Sequence, residues 1–93
     1  MNTQELAAAL ATRTGLTRTA AEDAVGTLLD LIATEVTDGE KVTLPRFGVF
    51  EARHRAARAG RDPRTGAPLT VAERRVPVFR PSNAFRELVD GRS

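Results

Sequence analysis

The residues with most chemistry to offer are the arginines between positions 53 and 75. Seven stand there (Arg53, Arg55, Arg58, Arg61, Arg64, Arg74 and Arg75) against two acids, Asp62 and Glu73. A guanidinium is permanently charged, and its planar fork of donors matches a phosphate. The only large apolar residues among them are Leu69 and Val71. Such a segment buries too little to build a core, but it can grip a polyanion. The bland alternative is a merely soluble, charged surface. That surface would mix signs, and here acids are scarce, so nucleic-acid binding is the better reading. Arginines on an extended ribbon can hold phosphates or enter a minor groove.

Other chemistry finds little support. His54 is the sole histidine and there is no cysteine. A metal site or a Ser-His-Asp arrangement therefore lacks its partners. His54 is expected at the base of the basic segment, as a solvated strand residue or a phosphate contact. The stretch "GRDPRTG" (60–66) invites comparison with a phosphate-binding loop. It fails, because Ala-Pro follows where Lys-Ser/Thr is required. No catalytic residue, metal, cofactor or small-molecule substrate is expected. Pro63 has two readings. It can set the φ of a turn, or it can act as a rigid apolar wedge between base pairs. Composition alone favours the turn.

These groups need elements to position them. Asn2 can cap a helix, with Glu5 three residues on. Leu6 and Leu10 follow, and Thr14-Gly15 reads as the stop. Thr17 is a second cap. Ala21, Ala24, Val25, Leu28, Leu29, Ile32 and Val36 then keep a helical period to Asp38-Gly39. The period changes at "KVTL" (41–44), a strand, and Pro45-Arg46 is a tight connection. "FGVFEARHR" (47–55) is a second strand. It puts Phe50 and Ala52 on one face, and Glu51, Arg53 and Arg55 on the other. The Ala-Ala at 56–57 breaks the alternation, so Arg58 falls on the other parity unless a bulge restores it. Residues 61–66 are a turn. "LTV" (69–71) and "RVPVFR" (75–80) return, with Pro77 marking an edge or a break. Pro81-Ser82 starts a short helix holding Ala84, Phe85, Leu88 and Val89.

The expected fold is α+β: a helical hairpin body, a three-stranded antiparallel sheet, a long protruding β-ribbon arm and a short terminal helix. The arm projects, with a tip mobile in the absence of a partner. Ten residues of strand on one side of it span roughly 33 Å.

Charge and length set the remaining bounds. Residues 1–45 hold three bases and seven acids, a balance of −4. Residues 46–93 hold eleven arginines and five acids, a balance of +6. This segregation points to a polyanion surface more strongly than the overall charge of +2 does. The 93 residues allow one domain or one subunit. About 70 residues outside the arm make a marginal core. Leu28, Leu29, Ile32, Val42, Phe47, Phe50 and Phe79 offer more apolar surface than one thin layer can cover, which implies a dimer with a shared core. No apolar run reaches the roughly 20 residues of a membrane span. The N-terminus lacks a secretory pattern, so a soluble cytoplasmic protein is expected.

Read together, "FGVFEARHRAARAGRDPRTG" and "VPVFRPSNAF" resemble the bacterial histone-like family of HU and integration host factor. That family's pattern is F-G-x-F, a basic strand, G-R-N-P-x-T-G, a return strand, then V-P-x-F-[KR]-P-G. The resemblance covers nearly the whole chain. It implies an intertwined dimer whose two arms embrace duplex DNA through the minor groove, with a proline that intercalates and bends it. Residues 1–52 and 76–93 would then be the dimer body, and 53–75 the arm.

Carried over, Pro63 is the wedge as well as the turn. Arg53, Arg55, Arg58, Arg61 and Arg64 are arm contacts. Arg80 and Arg86 fall where the family has phosphate-binding bases, and Arg46, Arg74 and Arg75 complete the DNA-binding set. Leu28, Leu29, Ile32, Phe47, Phe50 and Phe79 form the dimer core. The implied function is nucleoid-associated DNA condensation and bending, with little sequence specificity and, by expectation, a homodimer. Two alternatives stand beside it: a sequence-specific, integration-host-factor-like subunit needing a second chain, and a module gripping an acidic protein. The chain departs from the family at Asp62 for Asn, Arg46 for Gly, Ser82-Asn83 for Gly-Lys, and Thr3 for Lys. These departures imply weaker body contacts to DNA than the most basic relatives make.

Overall fold

The computed structural model describes residues 1–91. Two helices open the chain, α1 (Thr3–Thr14) and α2 (Arg18–Thr37). Asn2 caps α1 as expected, its Oδ1 accepting from the Glu5 N–H at 2.9 Å. Gly15 ends that helix. Thr17 caps α2, its Oγ1 accepting from the Ala20 N–H at 3.1 Å. Each cap satisfies a backbone donor that the first helical turn leaves unpaired. The chain divides into two compact units, residues 1–35 and 36–93. The first holds α1 and most of α2. The second holds the end of α2, every strand and the last helix.

Strands β1 (Val42–Leu44), β2 (Gly48–Arg55) and β5 (Arg74–Pro81) form an antiparallel sheet in the order β1-β2-β5. The β1–β2 connection is the expected tight turn, closed by the Phe47 N–H to Leu44 carbonyl bond at 3.0 Å. Proline at its first central position and a positive φ of 68° at Arg46 give it the type II pattern. Pro77 lies within β5, opposite Ala52, and does not break the strand. It is tolerated because β5 is at the sheet edge. Gly48 is there for space: a Cβ would sit 2.6 Å from both the Arg80 carbonyl oxygen and the Phe79 ring.

Helix α3 (Asn83–Asp90) is capped by Ser82, whose Oγ accepts from the Phe85 N–H at 3.1 Å. The Ser82 N–H bonds the Phe47 carbonyl at 2.9 Å and fixes the helix start to the sheet. Four phenylalanines meet on this side. Phe47 stacks on Phe85 at 4.9 Å between centroids, and Phe50 lies 4.7 Å from Phe79.

Beyond the sheet, β3 (Arg58–Arg61) and β4 (Pro68–Val71) form a separate two-stranded ribbon. The arm is therefore not one continuous ladder. Pairing stops after Arg55–Arg74 and resumes at Arg58–Val71. Two residues on each side stay out of it, so the register carries through with no bulge.

The apolar faces are incompletely covered. Among the described residues no large side chain is fully buried, while Leu28, Leu29 and Leu31 of α2 are 55%, 52% and 57% exposed. Leu88 and Val89 of α3 are more exposed still. Of the residues expected to form a shared core, Phe47 is exposed, and Ile32, Phe50 and Phe79 are half-buried.

Candidate nucleic-acid interface

Strand register decides which side chains share a face, because neighbours across a ladder point the same way. Val49, Glu51, Arg53 and Arg55 of β2 pair with Arg80, Val78, Val76 and Arg74 of β5. One face of the sheet therefore carries Arg53, Arg55, Arg74 and Arg80. The opposite face carries Phe50, Ala52 and His54 with Phe79, Pro77 and Arg75. Sequence parity puts Glu51, Arg53 and Arg55 on one face, and the register agrees.

Arg75 is set apart from the other arginines. Its Nη1 donates to the Thr37 carbonyl at 3.2 Å and its Nη2 to the Val36 carbonyl at 3.4 Å. It donates to carbonyls at the C-terminal end of α2, a favourable place for a cation. The signal is legible in the sequence: consecutive strand residues such as Arg74 and Arg75 must face opposite ways.

Glu51 is the group that sequence reading undervalues. It is buried, 7% exposed, and it is the only charged side chain so buried among the described residues. Its Oε1 accepts from Arg53 Nε at 3.2 Å, and its Oε2 accepts from Arg80 Nη2 at 3.2 Å. Lys41 Nζ lies 3.8 Å from Oε2. The bonds from Arg80 and then Arg53 hold the carboxyl below its ordinary pKa, against the opposing effect of burial. Phe85 lies outside the expected core set, yet it completes the aromatic cluster.

At the interruption between sheet and ribbon, His54, Arg55, Arg58 and Arg74 border a cleft of ≈ 580 Å³. His54 Nε2 is 3.1 Å from Glu73 Oε2, and both side chains are exposed. The arm base thus carries a direct histidine–carboxylate contact.

Beyond the cleft, Arg58 pairs with Val71 and Arg61 with Pro68, on opposite faces of the ribbon. The tip is a hydrogen-bonded turn. The Asp62 N–H donates to the Ala67 carbonyl at 2.9 Å, and the Gly66 N–H to the Asp62 carbonyl at 2.7 Å. Asp62 Oδ1 accepts from the Arg64 N–H at 2.8 Å, and Arg61 Nη1 donates to the Gly66 carbonyl at 3.0 Å. Asp62 thereby performs the turn-forming role open equally to asparagine. Gly66 supplies the positive φ of 72° that closes the turn. Pro63 sits exposed in it. Arg46 is exposed in the β1–β2 turn and Arg86 on α3.

Arginines on one sheet face, a basic cleft and a narrow ribbon ending in a rigid apolar ring all lie within the second unit. Residues 1–90 match the family described as "Bacterial DNA-binding protein". The chain is 42% identical to DNA-binding protein HU-beta 2 of Neisseria meningitidis over 91 residues, 98% of this chain and all of that one. It is equally identical, at 42% over 89 residues, to DNA-binding protein HU of Geobacillus stearothermophilus, covering 96% of this chain and 99% of that one. Among solved structures it resembles HU in the Anabaena HU–DNA cocrystal, with a TM-score of 0.90 and 40% identity, over 96% of this chain and 97% of that one.

Proposed function

The chain belongs to the bacterial DNA-binding protein family that includes HU, and on that premise we propose how its own residues hold and bend a duplex. It is a DNA-architectural protein that binds with little sequence preference. Neither the sequence-specific alternative nor the acidic-protein alternative gains support beside relatives named HU.

The observation that carries the assignment of roles is the exposed ribbon, with arginines at its base and Pro63 at its tip. Residues 53–75 are the arm, and 1–52 with 76–93 are the body of a single domain. Arg53, Arg55, Arg74 and Arg80 meet backbone phosphates where the arm leaves the sheet. Arg58, Arg61 and Arg64 follow the minor groove outward, and Pro63 wedges between base pairs. Arg46 and Arg86 add phosphate contacts from the body. Arg75 serves as the clasp on the end of α2 in addition to any phosphate contact.

The body is a homodimer. Its support is the apolar surface left open: α2 exposes Leu28, Leu29 and Leu31, and Phe79, Pro81, Phe85 and Val89 border an apolar groove of ≈ 430 Å³. No described helix is long and apolar enough to cross a membrane. Binding to DNA makes the bacterial nucleoid, in the cytoplasm, the place of action.

The test is a binding titration on several unrelated duplexes across a range of salt. Charge-driven binding releases condensed counterions, so log K falls linearly with log salt. For six or more phosphate contacts, affinity should drop by roughly 10³-fold between about 50 and 200 mM salt. It should vary little between sequences. A flat salt response, or binding confined to one sequence, contradicts the assignment.

A further inference from the structure

We infer that Glu51 is a positioning residue for DNA binding: its buried carboxylate fixes the guanidinium groups of Arg53 and Arg80 so that both meet backbone phosphates of the same duplex. This rests on the DNA-binding reading above and assigns a role within that surface to an acid.

A buried carboxylate costs free energy unless it is paired. The same face carries Val49, Val76 and Val78 beside it, and a further apolar residue would suit a strand face well. Apolar packing on that face gives no reason for an acid there. What the acid supplies is a fixed point for three cations drawn from different parts of the sheet. Arg53 lies two residues along the same strand. Arg80 is its diagonal neighbour on β5, since Glu51 pairs with Val78. Lys41 precedes β1.

The geometry fits support from beneath. The Glu51 side chain is 9% exposed, whereas those of Arg53 and Arg80 are 52% and 48% exposed. The carboxylate therefore presents little surface to a phosphate, but the arginines above it present much. Arg53 spends its Nε on Glu51, and Arg80 spends one Nη. The rest of each fork stays available to a second anion. Long side chains held in place beforehand lose less freedom on binding.

Charge alone argues the opposite sign. An acid under a phosphate-binding face should repel DNA, so neutralising it should tighten binding. If Glu51 positions the arginines, neutralising it weakens binding despite the added net positive charge. The two accounts therefore separate cleanly.

The experiment titrates a fluorescent nicked duplex with wild-type protein, Glu51→Gln, Arg80→Ala and the double variant, at several salt concentrations. Circular dichroism checks that each variant folds. Glu51→Gln should bind roughly 3- to 10-fold more weakly, the worth of two half-exposed pairs. Its salt slope should be shallower by about one for each phosphate that is no longer neutralised. The loss should shrink in the Arg80→Ala background, because the two residues act through each other. Equal or tighter binding with an equal or steeper slope overturns the inference, as does full additivity. Arg80→Lys keeps the charge without the fork, and carries the test alone if the Gln variant does not fold. It should also weaken binding, and undiminished affinity overturns the inference. Failure of the wild-type protein to bind DNA overturns the functional reading itself.

Discussion

Arg46 holds a backbone conformation that suits glycine better. Its φ of 68° lies in the left-handed region, at the second central position of the β1–β2 turn. An L-residue there carries about 1 kcal/mol of strain. Strain of this kind is tolerated when the side chain does something the turn does not need, and the phosphate contact proposed for Arg46 is such a role. Arg46→Gly should therefore leave the melting temperature unchanged or slightly higher. Relief of strain is partly offset by the freedom glycine gains in the unfolded chain. DNA affinity should fall, with the salt slope reduced by about one. A stable variant with undiminished affinity removes Arg46 from the interface.

Glu51 also makes a prediction about pH. Its folded pKa is depressed, chiefly by Arg80 and then Arg53. The stability it contributes is therefore complete above the ordinary carboxylate range. It is lost as pH falls below about 4, through the depressed value. Acid titration of thermal stability should show this loss in the wild type and a smaller one in Glu51→Gln. Parallel curves contradict it.

Among the elements, the β2–β5 pair does most to aim the site, and Gly48 sets how closely it packs. A methyl group at Gly48 meets backbone and a phenyl ring at 2.6 Å, and neither can give way cheaply. Gly48→Ala should destabilise the fold by about 1–3 kcal/mol, the usual scale for overpacking. Denaturant midpoints read this directly, and an unchanged midpoint contradicts the packing described. How legible each element is follows from the range of the forces that make it. The caps at Asn2, Thr17 and Ser82 act within three residues, so the sequence shows them. Strand faces follow from alternation, so Arg53 and Arg55 fall together as expected. The role of Glu51 depends on register between β2 and β5, whose residues Glu51 and Arg80 are 29 apart, and no local pattern encodes it. The interruption at 56–57 shows itself as an Ala-Ala, but its match at 72–73 has no signal. For that reason the sequence leaves a bulge open, and only the pairing settles that there is none.

For the whole molecule, the central difficulty of a single chain is its uncovered apolar surface. No large side chain is fully buried among the described residues, and three leucines of α2 are more than half exposed. A chain this small is marginal without further burial. Dimerisation should therefore be coupled to folding. The melting temperature should rise with protein concentration, because association stabilises by mass action. Sedimentation should report two chains. A melting temperature independent of concentration, with one chain in solution, contradicts the dimer. A dimer also explains reach, since two arms can grip a duplex where one would slide.

The central claim is that the arms both grip the duplex and bend it, with Pro63 as the wedge. Bending costs of order 1–6 kcal/mol by smooth elastic estimates, and a nick removes much of that. The most direct measurement is a gel-shift titration on matched intact and nicked duplexes, with wild-type protein and Pro63→Ala in parallel. The account predicts tighter binding to the nicked duplex by the wild type, and loss of that preference in the variant, with residual salt-dependent binding to both. Wild-type binding that ignores the nick, or a preference that survives Pro63→Ala, would mean that the arms grip without wedging.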